Sequence, residues 1–281
     1  MSFSQIKSYA KINLALNIVG KTTNLHKIES IIAFIDLYDL IFIKKIKSKK
    51  NNISFFGKFS RNIGKKNTVS ELMKILEKKK FLKDKKFHIK VDKRIPSQAG
   101  LGGGSMNAAS ILKYFIKKKI IKIKKKQIFK ISKMIGSDVI LGLNSFNTIL
   151  TSKNKIKIFT KYKKIHTLIV KPKFGCSTKE IYSKVKNFER PKLDRPNKNM
   201  FNLDYLKKMN NNLELIVFFK YFNLKKIKLF IEKSLNPVFV RMSGSGSVLV
   251  AYFKSKKICE LAKKKFNKKY KNYWCIASKT I

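Results

Sequence analysis

The segment Pro96-Ser-Gln-Ala-Gly-Leu-Gly-Gly-Gly-Ser-Met-Asn-Ala-Ala109 decides how this chain folds and what it can bind. It follows a run of alternating apolar residues typical of a half-buried strand, and it precedes a run with the spacing of an amphipathic helix. Four of its first nine residues are glycine, at positions 100, 102, 103 and 104. Glycine lets the backbone adopt positive φ and approach a ligand closely, and a helix N-terminus attracts anions. The segment therefore predicts a phosphate-binding loop.

A flexible turn followed by an ordinary helix cap is the alternative interpretation of this glycine-rich loop. Three consecutive glycines lose much conformational freedom on folding, and a turn without a ligand would gain nothing in return, so we favour the phosphate role. The loop has neither the GxxxxGK(S/T) form of the P-loop nor the usual setting of a dinucleotide-binding GxGxxG. Ser105 or Asn107 would supply a side-chain donor near the helix start.

The composition is that of a folded globular protein. The chain has 281 residues, 44% of them hydrophobic, enough for one large domain or two modest ones. The longest apolar stretch, residues 31–43, carries two aspartates and is too short to span a bilayer. The N-terminal residues contain no apolar signal region, and three scattered cysteines lack the spacing of a metal site or a disulfide framework. These cysteines are Cys176, Cys259 and Cys275. We therefore expect a cytoplasmic protein.

The formal net charge of +51 has two interpretations. Basic residues gathered on one surface would indicate nucleic-acid binding, because they release counterions from phosphates. Here the 66 lysines and arginines run through the chain in short groups. Lys, Ile, Asn and Phe are abundant together, as drift in an AT-rich genome would produce. We interpret the charge as a drifted surface that favours anionic small substrates, and nucleic-acid binding remains the alternative.

The periodicity of apolar residues divides the chain into two blocks joined by a lysine-rich connection near residue 160. The first block is predicted to contain strands at 8–19, 30–46 and 87–91, and helices at 67–80 and after the glycine-rich loop. The second is predicted to contain strands at 166–170, 248–253 and 273–277, and helices at 178–185, 224–235 and 256–266. This β-α-β-α-β pattern fits a ferredoxin-like domain.

Three motifs carry a resemblance to a known family. The segment GLGGGSMNAA, residues 100–109, resembles the GLGGGSSNAA signature of the kinases of 4-diphosphocytidyl-2-C-methyl-erythritol, within the GHMP kinase superfamily. SYAKINL, residues 8–14, is similar to their PAKINL motif, and RMSGSGS, residues 241–247, is similar to their SGSG motif. Smaller matches are IDLYD at 35–39, IGSDV at 135–139 and STKEIY at 177–182.

The resemblance implies an α+β, two-domain GHMP kinase fold, with ATP and substrate in the cleft between the domains. Residues 1–160 would be a ribosomal-protein-S5-domain-2-like N-terminal domain with the phosphate loop, and residues 161–281 a ferredoxin-like C-terminal domain. The implied reaction is phosphorylation of the 2-hydroxyl of 4-diphosphocytidyl-2-C-methyl-D-erythritol by ATP with Mg²⁺, in the non-mevalonate pathway to isoprenoid precursors. The partner is thus an anionic cytidine diphosphate sugar alcohol, with no membrane partner, and the enzyme is a monomer or weak homodimer.

Two charged residues are the catalytic candidates. Asp138 lies in an otherwise apolar run, although the chain has only 15 acidic residues, so it is either a helix cap or a functional group. The resemblance assigns it the role of the base that takes the proton from the attacking hydroxyl. Lys11 lies in an apolar strand and needs an anionic partner. The resemblance implies that this partner is both Asp138 and the transferring phosphoryl group.

The resemblance also implies the binding residues. The family often has Gly-Tyr-His where this chain has residues 24–26, so His26 would read the cytosine edge, while Leu25 lacks a ring to stack. Tyr182 falls at a second aromatic position that the family uses against the base. No metal ligand is predicted, and mevalonate or homoserine kinases are the enzymatic alternative. The implied ATP-binding residues are Pro96, Ser97, Gln98, Ala99, Gly100, Leu101, Gly102, Gly103, Gly104, Ser105 and Met106.

Overall fold

The computed structural model describes residues 2–23, 25–61, 63–160 and 163–281, which form an α+β protein as predicted. The chain divides into two compact units. The first comprises Met1–Ala10, Leu37–Ser97 and Gly102–Ser145, and the second comprises Lys11–Asp36, Gln98–Leu101 and Phe146–Ile281. The two long strands β1 (Ser4–Lys21) and β2 (His26–Ile46) contribute residues to both units.

The first unit packs helices on a small sheet. The C-terminal half of β2 pairs antiparallel with β4 (Lys86–Asp92), from Leu40 opposite Asp92 to Ile46 opposite Lys86. Strand β3 (Asn52–Phe56) pairs parallel with β4. The helices are α1 (Thr68–Lys78), α2 (Gly103–Lys117), α3 (Lys125–Ile135) and α4 (Val139–Gly142).

Helix α1 shows why the sequence pattern was informative here. The Asn67 side chain accepts hydrogen bonds from the first-turn N–H groups of Val69 and Ser70, and the Ser70 hydroxyl accepts from Asn67 N, which completes a capping box. The apolar side chains of Val69, Leu72, Met73 and Leu76 are buried and pack in one core with α2 and β4. The predicted helix at 67–80 is therefore confirmed, with Asn67 as its cap.

The second unit contains a four-stranded antiparallel sheet in the order β10-β7-β9-β8. These strands are β7 (His166–Lys171), β8 (Phe239–Met242), β9 (Leu249–Phe253) and β10 (Trp274–Lys279). The N-terminal half of β2 pairs with β5 (Asn147–Leu150), which pairs with β6 (Ile156–Phe159). The helices are α5 (Thr178–Ser183), α6 (Leu203–Lys208), α7 (Leu213–Lys220), α8 (Phe222–Ser234) and α9 (Lys256–Lys269), with a 3₁₀ turn at Lys198–Phe201.

Strand β8 corrects the predicted β-α-β-α-β pattern, which was one strand short. With β8 the order becomes β-α-β-β-α-β, which is the ferredoxin-like arrangement. The hydrophobic pattern did not predict this strand, because one of its four residues is the charged Arg241. The guanidinium is buried, and it donates hydrogen bonds to the carbonyl oxygens of Leu14 and Met209. A charged residue satisfied in this way occupies a core position that sequence patterns reserve for apolar ones.

The predicted domain boundary lies between residues 160 and 161. Residues 161 and 162 lie outside the described residues. In the described part of the chain, none of the helices has both the length and the apolar run that a membrane span requires.

Candidate functional site

The glycine-rich loop has the backbone conformation of an anion-binding turn. Gly100 and Gly102 adopt φ of +76° and +68°, in the left-handed region that favours glycine. Helix α2 begins at Gly103, directly after Gly102 at the N-cap. Gly102 has no side chain with which to cap the first turn, which suits the binding of an external anion there. Gln98 also has a positive φ, +50°.

In the second unit, the loop lies directly against the SGSG turn. A Cβ placed on Gly100 would lie only 1.9 Å from the carbonyl oxygen of Ser243. The Ser243 hydroxyl donates to Gly100 O at 2.9 Å, and Val248 N donates to Ala99 O at 3.3 Å. The SGSG turn therefore packs against residues 98–101 of the glycine-rich loop.

Lys11 joins this part of the second unit through a hydrogen-bonded chain. Its Nζ is buried and donates to Asn13 Oδ1 at 2.8 Å, and its backbone N–H donates to Leu101 O at 3.1 Å. Asn13 N donates to the same Ser243 hydroxyl at 3.1 Å, and Asn13 Nδ2 donates to Ser30 Oγ at 2.8 Å. Asn13 orients Lys11, a role that sequence reasoning missed. A polar residue inside the apolar SYAKINL strand was the available signal.

In the first unit, Asp138 lies at the N-terminus of α4, a helix that packs on α2. It occupies the N-cap position of α4, but its side chain makes no capping hydrogen bond to that helix, so the helix-cap interpretation is not supported. Helix α4 packs on α2: a Cβ on Gly142 would lie 2.9 Å from Met106 Sδ. A Cβ on Gly136, two residues before Asp138, would lie 3.7 Å from the Ser105 hydroxyl.

Met106 stands where the family signature has a serine, and it packs in the protein interior. The side chain is buried against Gly142, and the backbone N–H donates to Gly102 O at 2.9 Å. The side chain of Met106 therefore packs on α4, and its N–H group is satisfied by a helical hydrogen bond.

Two aromatic rings of the second unit lie beside His26. The rings of Tyr182 and Phe188 lie 5.3 and 6.4 Å from the imidazole, measured between ring centroids. Leu25 is 70% exposed, and its neighbour Asn24 lies outside the described residues. Burial, followed by the nearby positive charge of Lys21, lowers the pKa of His26 below its ordinary value, which favours a neutral imidazole.

Phe188 is the second residue that sequence reasoning missed. It lies in an irregular segment after α5, 48% exposed, where no periodicity marks it. Only the folded chain brings its ring to His26. It supplies an aromatic side chain at this site, which Leu25 cannot do.

The predicted site residues thus fall into two groups. Asp138 and residues 96–97 and 102–106 belong to the first unit, while Lys11, His26, Tyr182 and residues 98–101 belong to the second. The predicted contact between Lys11 and Asp138 stays a prediction. The described ranges contain no cluster of three or more His, Cys, Asp or Glu side chains suited to a metal ion.

Comparison with known proteins shows the same family as the motifs. The family model for the GHMP kinases N terminal domain matches residues 67–150. A 4-diphosphocytidyl-2-C-methyl-D-erythritol kinase of Pelagibacter ubique (strain HTCC1062) is 55% identical over 281 residues, which cover 100% of both chains.

Solved structures agree with the fold. A crystal structure of 4-(cytidine 5'-diphospho)-2C-methyl-D-erythritol kinase superposes with a TM-score of 0.79 at 21% identity, covering 99% of each chain. A homoserine kinase from Cytophaga hutchinsonii superposes with a TM-score of 0.68 at 14% identity, covering 99% of this chain and 94% of the other. At these identities the structures show the two-domain GHMP kinase fold and nothing finer.

Substitution of Gly100 tests whether the close approach to Ser243 is required. We expect Gly100→Ala to lower the free energy of unfolding by about 2–4 kcal/mol, because a Cβ there disfavours the positive φ and meets the Ser243 backbone. Gly64→Ala is the matched control, since a Cβ at Gly64 would meet nothing within 4 Å. Urea denaturation measures both. Equal stability of the two variants would contradict the assigned contact.

Proposed function

We propose that this chain, which belongs to the 4-diphosphocytidyl-2-C-methyl-D-erythritol kinases, transfers the γ-phosphoryl group of ATP to the 2-hydroxyl of 4-diphosphocytidyl-2-C-methyl-D-erythritol. The observation that carries this function is 55% identity along the whole length of both chains. The reaction belongs to the non-mevalonate pathway to isoprenoid precursors. The enzyme is a cytoplasmic ATP-dependent kinase with an alcohol as acceptor.

ATP binds through residues 96–106. Two glycines with positive φ and the start of α2 at Gly103 support this role, because together they bring backbone N–H groups close to the phosphates. Mg²⁺ neutralises charge on the phosphates when it is bound. The Ser105 hydroxyl would help to hold it together with the phosphates, since hard oxygen donors and substrate phosphates are its preferred ligands.

Asp138 acts as the general base and Lys11 stabilises the developing charge. Asp138 is half-buried at the N-terminus of α4, and as the general base its carboxylate would take the proton of the acceptor hydroxyl. Lys11 is held by Asn13, which fixes the direction of its ammonium group. Phosphoryl transfer depends mainly on positioning and charge stabilisation, so a fixed ammonium group and a placed carboxylate suit it.

The cytidine group binds at His26. A neutral imidazole has one donor and one acceptor nitrogen, which suits the edge of a cytosine. The rings of Tyr182 and Phe188 beside it offer stacking surfaces. This pocket favours a cytidylated acceptor over mevalonate or homoserine, which have no base to stack. The presence of Asp138 and Lys11 disfavours the nucleic-acid-binding alternative, because a binding protein would need neither residue.

From the family resemblance, residues 1–160 form the N-terminal GHMP kinase domain and residues 161–281 the C-terminal one, whereas the compact units place residues 11–36, 98–101 and 146–160 with the C-terminal part. The enzyme works as a monomer or weak homodimer on a small anionic substrate.

Asp138→Asn tests the general base. We expect kcat to fall by about 10²–10⁴, because an amide keeps the shape but accepts no proton. Nucleotide affinity, measured by calorimetry, should be retained. Asp84→Asn is the control, because it removes the same charge in an exposed turn with φ of +60°, which asparagine tolerates. Near-normal turnover of the Asp138 variant would exclude this residue from proton transfer.

Tyr182→Ala tests the identity of the acceptor. The KM for the cytidylated alcohol should rise by the equivalent of about 1–3 kcal/mol, the usual contribution of one stacked base, while the KM for ATP stays unchanged. Tyr182→Phe keeps the ring and should keep the parent KM. A rise in the KM for ATP instead, or equal phosphorylation of mevalonate or homoserine by the parent, would withdraw the proposed substrate.

A further inference from the structure

Asp39 has no role in the function proposed so far, although it ends the IDLYD match at residues 35–39. It lies on β2 in the first unit, and it is fully buried. A buried carboxylate is expensive unless it is paired and hydrogen-bonded. Its partners therefore show what the carboxylate is for.

The carboxylate of Asp39 is surrounded by donors. Oδ1 accepts from the backbone N–H groups of Arg94 and Ile95, both at 2.8 Å. Oδ2 accepts from Asn107 Nδ2 at 3.0 Å and from Lys93 Nζ. Because a carboxylate only accepts hydrogen bonds, the amide of Asn107 must turn its nitrogen towards Asp39.

These four donors flank the glycine-rich loop. Residues 93–95 lead directly into the loop, and Asn107 lies in the first turns of α2 directly after it. One carboxylate therefore ties together both ends of the segment that carries residues 96–106. The loop between the two ends is a glycine-rich backbone, which is intrinsically flexible, so this polar tie adds to the apolar packing of α2 near β4.

Lys93 adds an electrostatic reason for the pairing. Its side chain is 4% exposed, and its Nζ lies 3.3 Å from the place of a Cβ on Gly103, beside the first turn of α2. A cation at a helix N-terminus meets the positive end of the helix dipole. The negative charge of Asp39 offsets this repulsion, so the ammonium group can stay packed beneath the loop.

We propose that Asp39 is a positioning residue that fixes the phosphate-binding loop by holding its two ends at a set distance. The proposal rests on the proposed role of that loop in binding ATP. Asp39 touches neither substrate; it acts through Lys93, Asn107 and the backbone of residues 94–95. Its loss displaces the loop and weakens ATP binding, while binding of the cytidylated acceptor is unaffected.

Asp39→Asn is the main test. One amide oxygen can still accept from the two backbone N–H groups, but the amide nitrogen then faces the donors Lys93 Nζ and Asn107 Nδ2. We expect the dissociation constant of the non-hydrolysable analogue AMP-PNP with Mg²⁺ to rise by roughly 10-fold to 100-fold. The KM for ATP should rise with it, and the KM for the acceptor should stay constant.

The split between the two KM values separates positioning from simple loss of stability. A purely structural defect lowers the fraction of folded enzyme, and hence the apparent kcat, but leaves the KM for ATP unchanged. All assays are made at a temperature at which thermal unfolding shows the variant to be folded. Asn107→Ala releases only the α2 end and is the second variant should Asp39→Asn fail to fold; it should raise the same two nucleotide constants by a smaller factor.

Asp92→Asn is the matched control. It removes a carboxylate from the neighbouring ion pair with Arg94, whose side chain is 45% exposed, and leaves both ends of the loop tied. It should bind AMP-PNP as the parent does. If the parent binds nucleotide and Asp39→Asn and Asn107→Ala bind it equally well, the positioning role is wrong and the proposed function stands. If the parent itself binds no nucleotide, both are overturned.

Discussion

The hydroxyl group of Ser243 joins three segments of the second unit, and the arrangement of the candidate site there depends on it. It accepts a hydrogen bond from Asn13 N on β1 and donates one to Gly100 O in the glycine-rich loop. The contact is possible only because Gly100 has no side chain. Asn13 in turn holds Lys11, so the position of the one ammonium group assigned to catalysis depends on a turn more than 200 residues away. Glycine, serine and asparagine are required here for their small size and hydrogen bonding.

Most of the positive charge of the chain lies at its surface, and the few charged side chains in the interior are hydrogen-bonded. Asp39 and Glu29 are fully buried, and each accepts two hydrogen bonds from consecutive backbone N–H groups. In Glu29 these come from Lys192 and Leu193. Such carboxylates are satisfied by local backbone geometry, so the accumulation of lysine on the surface leaves them undisturbed. A surface enriched in lysine is therefore compatible with an intact interior. The net charge alone is a poor guide to the function of this chain.

The sequence predicted the elements whose signals are local and failed where the signal is three-dimensional. The apolar periodicity of the helix at 67–80 and the glycines of the loop are local signals, and the sequence predicted both elements. Strand β8 was missed because Arg241 is satisfied by carbonyl oxygens of Leu14 and Met209, which lie far from it in the sequence. Phe188 was missed because only the folded chain brings its ring to His26. The motifs gave the family because they are short and contiguous; the partners of each motif residue required coordinates.

The position of the transferred phosphoryl group tests the central claim most directly. The chain is incubated with ATP, Mg²⁺ and 4-diphosphocytidyl-2-C-methyl-D-erythritol, and the product is examined by ³¹P NMR without proton decoupling. The carbon that bears the 2-hydroxyl also bears the methyl group and has no proton. We therefore predict a new phosphomonoester signal that remains a singlet. A doublet or triplet, from transfer to a secondary or primary hydroxyl, or release of inorganic phosphate alone, would contradict the account.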